Sequence, residues 1–191
     1  MSPGPSLAIV TRHSVVSGAR AGVVCAVSHG AGIFLWAALT TSGLGAVLLA
    51  QPSWFEGLRL IGAGFLLYLG VRAMLSQTDG VPSDRGETIA GVGKAATEGM
   101  VIALSNPKVA LFFAALFSQF IQPDATLITQ LVIASTAAVI DALWYSVVAV
   151  LLSRPLWSGS LSRSGGLLER GFGVILIMLS ATVFWAVFFS R

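Results

Sequence analysis

A chain of 191 residues that is 55% hydrophobic and only 10% charged cannot dress itself in a water-facing surface, because a soluble domain carries about 25% charged residues. Its mean hydropathy of +0.87 makes lipid the main solvent, which excludes a soluble enzyme, a nucleic-acid binder and a disordered chain. The excess of 11 Lys+Arg over 8 Asp+Glu then reports where loops lie. Cys25 is the one cysteine, so no intrachain disulfide forms, and its apolar neighbours predict a small buried side chain. The first eleven residues carry no basic side chain and are interrupted by Pro3 and Pro5, a poor pattern for a cleavable signal.

Taken in chain order, Ser6 to Val16 is apolar but contains Arg12 and His13, and at 1.5 Å per residue it spans at most half of a bilayer of ~30 Å. Residues 21–55 hold no charged side chain. They predict a second helix from Ala21 to Leu44, with the remainder approaching a turn at Gln51-Pro52-Ser53. A third helix is expected from Trp54 to Leu75, then a polar, glycine-rich loop over 76–94. A fourth apolar stretch, Ala95 to Ile121, is broken at Asn106-Pro107-Lys108. A fifth runs from Thr126 to Leu152 with Asp141 as its one charge, and after the polar segment Ser153 to Gly166 a sixth runs from Leu167 to Phe189.

The basic residues orient these spans. Arg12, Arg20, Arg72, Arg85, Lys94, Arg154, Arg163 and Arg170 fall on one set of alternate loops, and only Arg59 and Arg191 on the other. Loops 11–20, 76–94 and 153–170 are therefore expected in the cytoplasm, with both termini outside. Six segments divide as three plus three about the central loop. An odd number of crossings per half inverts one half relative to the other, as in inverted-repeat transporters. The expected fold is thus an all-α, multi-pass membrane bundle: a first repeat over 1–76, a cytoplasmic loop over 77–94 and an inverted second repeat over 95–191.

Each half opens on a proline break, Ser2-Pro3-Gly4-Pro5-Ser6 and Ser105-Asn106-Pro107-Lys108. Asn is a favoured N-cap and Pro a favoured first helical residue, so Asn106-Pro107 marks a helix start at membrane depth. Such a start leaves backbone N–H groups without partners, which favours a cavity or an anion such as a carboxylate there. A proline kink without ligand is the other reading of either motif.

Lys108 and Asp141 are the charges placed deepest, and either they pair with each other or they face a substrate path. In the second case Asp141 meets a cationic group and exchanges a proton, while Lys108 helps to hold an anionic one. His29, within Ser28-His29-Gly30-Ala31-Gly32, is either a hydrogen-bonded structural residue or a second proton carrier. Trp144 and Tyr145, one turn past Asp141, line a pocket or fill the bundle. His13 is expected at the cytoplasmic edge and Glu98 in the interface. Gly18-x-x-x-Gly22 and the Gly30/Gly32 pair predict close helix approach. No Cys/His metal spacing and no nucleophile–base pair stand out, so neither a cofactor nor a catalytic residue is expected.

Several of these motifs together resemble the LysE-type amino-acid exporter family, which includes homoserine and threonine efflux proteins. They are Ser2-Pro3-Gly4-Pro5, Gly18-Ala19-Arg20-Ala21-Gly22, Gly62 through Tyr68-Leu69-Gly70, Asn106-Pro107-Lys108-Val109-Ala110-Leu111-Phe112-Phe113, Gln119-Phe120 and Asp141-Ala142-Leu143-Trp144-Tyr145, in the family's order over nearly the whole chain. The resemblance implies a six-helix, ion-driven secondary transporter that exports small amino acids or derivatives of the homoserine, threonine or lysine type, rather than an enzyme. Its expected partners are that substrate, the lipid of the cell membrane, a coupling proton and potentially further copies of the chain. Substrate contacts fall to Gly4, Pro5, Ser6, Asn106, Pro107, Lys108, Asp141, Trp144 and Tyr145, and proton coupling to Asp141 and His29. A metal or other cation exporter of the wider superfamily is the alternative.

Two departures stand out. Ile33 and Phe34 occupy positions where many members carry an acidic residue. About twenty residues, Thr88 to Asn106, precede Pro107, whereas four precede Pro5, so the first repeat is expected to lack the outer half-helix ahead of its break.

Overall fold

The structure, a computed structural model, describes residues 5–50, 52–75, 91–119, 125–153 and 158–189. Every regular element among them is an α-helix: α1 (Pro5–Ser17), α2 (Ala19–Ala50), α3 (Pro52–Leu75), α4 (Val92–Ser105), α5 (Pro107–Phe117), α6 (Leu127–Leu152) and α7 (Ser158–Phe189). Three helices are long and apolar enough to cross a membrane, over Ala19–Leu44, Glu56–Leu75 and Leu127–Leu152. The pair α4 and α5, bent by 57° at Asn106, makes a fourth span when taken together, and the apolar part of α7, Gly173–Phe189, is shorter. Large apolar side chains such as Leu39, Ile61, Val139, Leu143 and Met178 point outward, the arrangement a lipid solvent favours and water does not.

Most boundaries follow the sequence pattern, and the departures have local causes. α2 continues past Leu44 to Ala50, since no proline interrupts it before Pro52, which serves as the first residue of α3. α7 begins at Ser158, inside the segment expected to be loop. No proline follows Pro155, and Ser, Leu and Arg are adequate helix formers, so polarity alone does not stop a helix there. α5 ends at Phe117 rather than reaching Ile121, with Ser118 N–H returning to the Ala114 carbonyl at 3.1 Å. The motif residues Ser2, Pro3 and Gly4 lie outside the described residues, as do Gln51 and most of the central loop.

Small residues set the packing. α1 turns back onto α2 through Gly18, the one described residue with positive φ (84°), a conformation that glycine adopts without strain. This glycine therefore makes a turn instead of the close helix contact expected of it. Four other glycines make close contacts. Gly22 faces Ser14 and Ala149, Gly30 faces Ala138 and Ala142, Gly32 faces Ala103, and Gly99 abuts the backbone of Cys25. These pairs run α2 antiparallel to α6 and parallel to α4. On the other side Gly70 meets Gly173, and Ser180 Oγ donates to the Ala63 carbonyl at 2.8 Å, so α3 and α7 are antiparallel. α5 bridges the two groups: Phe113 and Phe117 join a core with Ile33, Ala37 and Ala134, while Ala115 packs with Leu66, Leu69 and Leu176.

Candidate functional site

Near the middle of α2 and α6, His29 and Asp141 meet. His29 Nδ1 lies 2.7 Å from Asp141 Oδ2, and the two residues are 1% and 4% exposed. A carboxylate in an apolar helix needs such a partner, because an isolated buried charge costs several kcal/mol. Gly30 makes the approach possible: a side chain there would press on Ala142 and on the Ala138 carbonyl. The carboxylate fixes Nδ1 as the donor, which leaves Nε2 as the open position of the ring. Nε2 is buried and has no hydrogen-bond partner among the described residues. Tyr145, one turn beyond Asp141 on the same face, stands edge-on to His29 with ring centroids 5.1 Å apart.

The two helix starts come together beside this pair. Asn106 Nδ2 donates to Ser6 Oγ at 3.4 Å, so the start of α1 touches the start of α5. Ser6 in turn interacts with the Tyr145 side chain. Asn106, Ser6, Tyr145, His29 and Asp141 therefore form a polar path in the bundle, its Tyr145–His29 link an edge-on ring contact, beside other buried polar groups such as Thr41, Ser118 and Ser180. Asn106 also caps α5, its Oδ1 accepting the Lys108 N–H at 3.0 Å.

One expectation about this start needs correction. The N–H groups at the beginning of α5 are not waiting for an anion. Pro107 has none, that of Lys108 goes to the Asn106 side chain, and those of Val109 and Ala110 go to the Asn106 carbonyl at 3.0 and 3.3 Å. This end carries the positive pole of the helix, with the Asn106 amide shared with Ser6 and the half-buried Lys108 side chain next in sequence.

Comparison with known proteins decides the family. The profile described as "LysE type translocator" matches residues 1–189. The chain belongs to the LysE family. Its curated relatives include a threonine efflux protein of Salmonella typhi, 25% identical over 189 residues, covering 93% of this chain and 91% of the relative. The Escherichia coli K12 threonine efflux protein is 25% identical over 190 residues, with the same coverage. A leucine efflux protein of Salmonella choleraesuis is 28% identical over 148 residues, 75% of this chain and 69% of the relative. No solved structure matches.

In this LysE-family chain the structure sorts the candidate residues. It joins Ser6, Asn106, His29, Asp141 and Tyr145, with Pro5 and Pro107 as the first residues of α1 and α5 and Lys108 half-buried one position on. Gly4 lies outside the described residues. Trp144 is 37% exposed and belongs to the outer surface. The 100° step per residue turns it off the face that Asp141 and Tyr145 share as an i, i+4 pair. The partner at Asp141 Oδ2 is His29, a pairing across 112 residues that no local pattern announces. A second cluster was not grouped by the sequence reading. Glu98 on α4 holds His13 Nε2 at 2.8 Å, Arg12 Nη1 at 3.3 Å and Lys94 Nζ at 3.7 Å. His13 is buried there, at 1% exposure. The one sequence signal for this cluster was the presence of opposite charges in two apolar helices. Among the described residues no group of three His, Cys, Asp or Glu is placed to hold a metal ion.

Proposed function

We propose that this LysE-family chain exports a small zwitterionic amino acid across the cell membrane in exchange for protons. The observation that carries the reading is the polar path from Asn106 and Ser6 through Tyr145 to His29 and Asp141. The relatives, named threonine and leucine efflux proteins, support the same substrate class. The substrate carboxylate binds at the positive ends of α1 and α5, against the Asn106 amide and the Lys108 ammonium. Its ammonium group takes the Asp141 carboxylate.

Antiport follows from competition. In the absence of substrate, the proton to be exchanged is carried on the His29 ring, whose Nδ1–H donates to the Asp141 carboxylate. The arriving ammonium and the ring N–H compete for the same Asp141 carboxylate, so substrate and proton carrier occupy it in turn. Proton and substrate then exclude each other from one carboxylate, which is the requirement for exchange. The inverted-repeat reading, with halves over 1–76 and 95–191 about a cytoplasmic loop, is supported by the antiparallel pairs α2/α6 and α3/α7.

Reconstituted protein in liposomes tests this directly. Labelled threonine and leucine should move against an imposed proton gradient and slow when the gradient is collapsed. Movement of no amino acid in either direction, under any gradient, contradicts the proposal.

A further inference from the structure

Ser6, His29, Asp141 and Tyr145 are each at most 6% exposed, so in this conformation substrate does not reach the site without a helix movement. The obstruction toward the side where α1 ends and α4 begins is the Glu98 cluster. Glu98 belongs to α4 and Arg12 and His13 to α1, so the contacts at 2.8 and 3.3 Å make one carboxylate the tie between the two helices, with Lys94 of α4 joining it at 3.7 Å. This layer sits between the Ser6–Asn106 contact and the ends of both helices, and the arrangement of basic loops puts those ends in the cytoplasm. α1 is short, 13 residues, and ends at Gly18, where a side chain would meet nothing within 4 Å. Gly18 is the hinge for a movement of α1, which parts Ser14 from Gly22 and Val10 from its core with Cys25.

We propose that the Glu98–His13–Arg12–Lys94 cluster is the cytoplasmic gate of this transporter, closed here by charge pairing between α1 and α4. The proposal rests on the orientation and the site given above. Without the Glu98 charge, the basic groups of α1 and α4 lose the carboxylate they share, so the closed state loses that attraction between the helices. The chain carries its own reporter of the movement. Cys25, the one cysteine, is fully buried beneath this layer, in a core with Val10 of α1 and Ala95 of α4, and Gly99 of α4 rests on its backbone. It becomes reachable when α1 and α4 part.

The test is the rate at which a charged, membrane-impermeant thiol reagent labels Cys25 in inside-out membrane vesicles, with no substrate added. The parent labels slowly. Glu98→Gln labels about tenfold faster, the population shift that corresponds to ~1.4 kcal/mol. Glu56→Gln, at the opposite end of the bundle, labels at the parental rate. Should Glu98→Gln fail to accumulate, Arg12→Gln combined with Lys94→Gln, both at partly exposed positions, gives a smaller rise of about threefold. A parental rate in both gate variants, or faster labelling confined to right-side-out vesicles, overturns the gate. Labelling needs no transported solute, so a failed amino-acid assay leaves this outcome readable on its own.

Discussion

At residue 141 a carboxylate survives inside an apolar helix because His29 meets one of its oxygens at 2.7 Å and Gly30 lets α2 approach α6 closely enough for that contact. Asp141→Asn keeps the shape and still accepts the Nδ1–H, but it has no charge for an ammonium group. The variant should insert at the parental level and lose at least about tenfold in export, ~1.4 kcal/mol of lost attraction. Export at the parental rate contradicts the role given to the carboxylate, and failure to accumulate favours a purely structural pair. His29→Gln tests the other half. It should retain substrate exchange between the two sides while losing dependence on the proton gradient, measured as counterflow against gradient-driven export in the same vesicles. Asp141 was legible from the sequence as the one charge of the fifth segment. Its partner was not, because a contact across 112 residues depends on which faces two helices turn to each other. The same geometry removed Trp144 from the site, since its neighbours Asp141 and Tyr145 share a face that it does not.

The broken helix pair and the glycine contacts are legible in different degrees. Asn106-Pro107 reads as a helix start from its chemistry alone, and the structure places the cap as expected, with Asn106 Oδ1 on the Lys108 N–H. The satisfaction of the next two N–H groups by the Asn106 carbonyl was not legible, because it depends on the tightness of one turn. Gly30 and Gly32 could be read as contact residues, whereas Gly99 was hidden in a sequence with many glycines. A methyl group at Gly99 would strike the Cys25 backbone, which cannot swing aside as a side chain does. Gly99→Ala should therefore cost ~1–3 kcal/mol as α2 and α4 separate, and lower the melting temperature of the detergent-solubilised protein by several degrees. Gly64→Ala meets nothing within 4 Å and should melt with the parent. Equal melting of the two variants would remove Gly99 from the packing account.

At the scale of the whole molecule, composition alone called for lipid, and the outward Leu39, Ile61, Val139 and Met178 agree with it. Six apolar stretches were legible as helices, while the helical polar segment before Gly166 was not, because polarity separates lipid from water and not helix from loop. In the proposed mechanism the starts of α1 and α5 meet around one zwitterion, with its carboxylate at those helix starts and its ammonium at Asp141. That arrangement reads both ends of the substrate at once. The most direct measurement is competition in proteoliposomes against labelled threonine or leucine, using the matching amino-acid amide, which lacks the carboxylate, and the 2-hydroxy acid, which lacks the ammonium. Strong competition by the free amino acid with loss of at least about tenfold for each analogue is the predicted result. Competition by either analogue at the level of the free amino acid would contradict it.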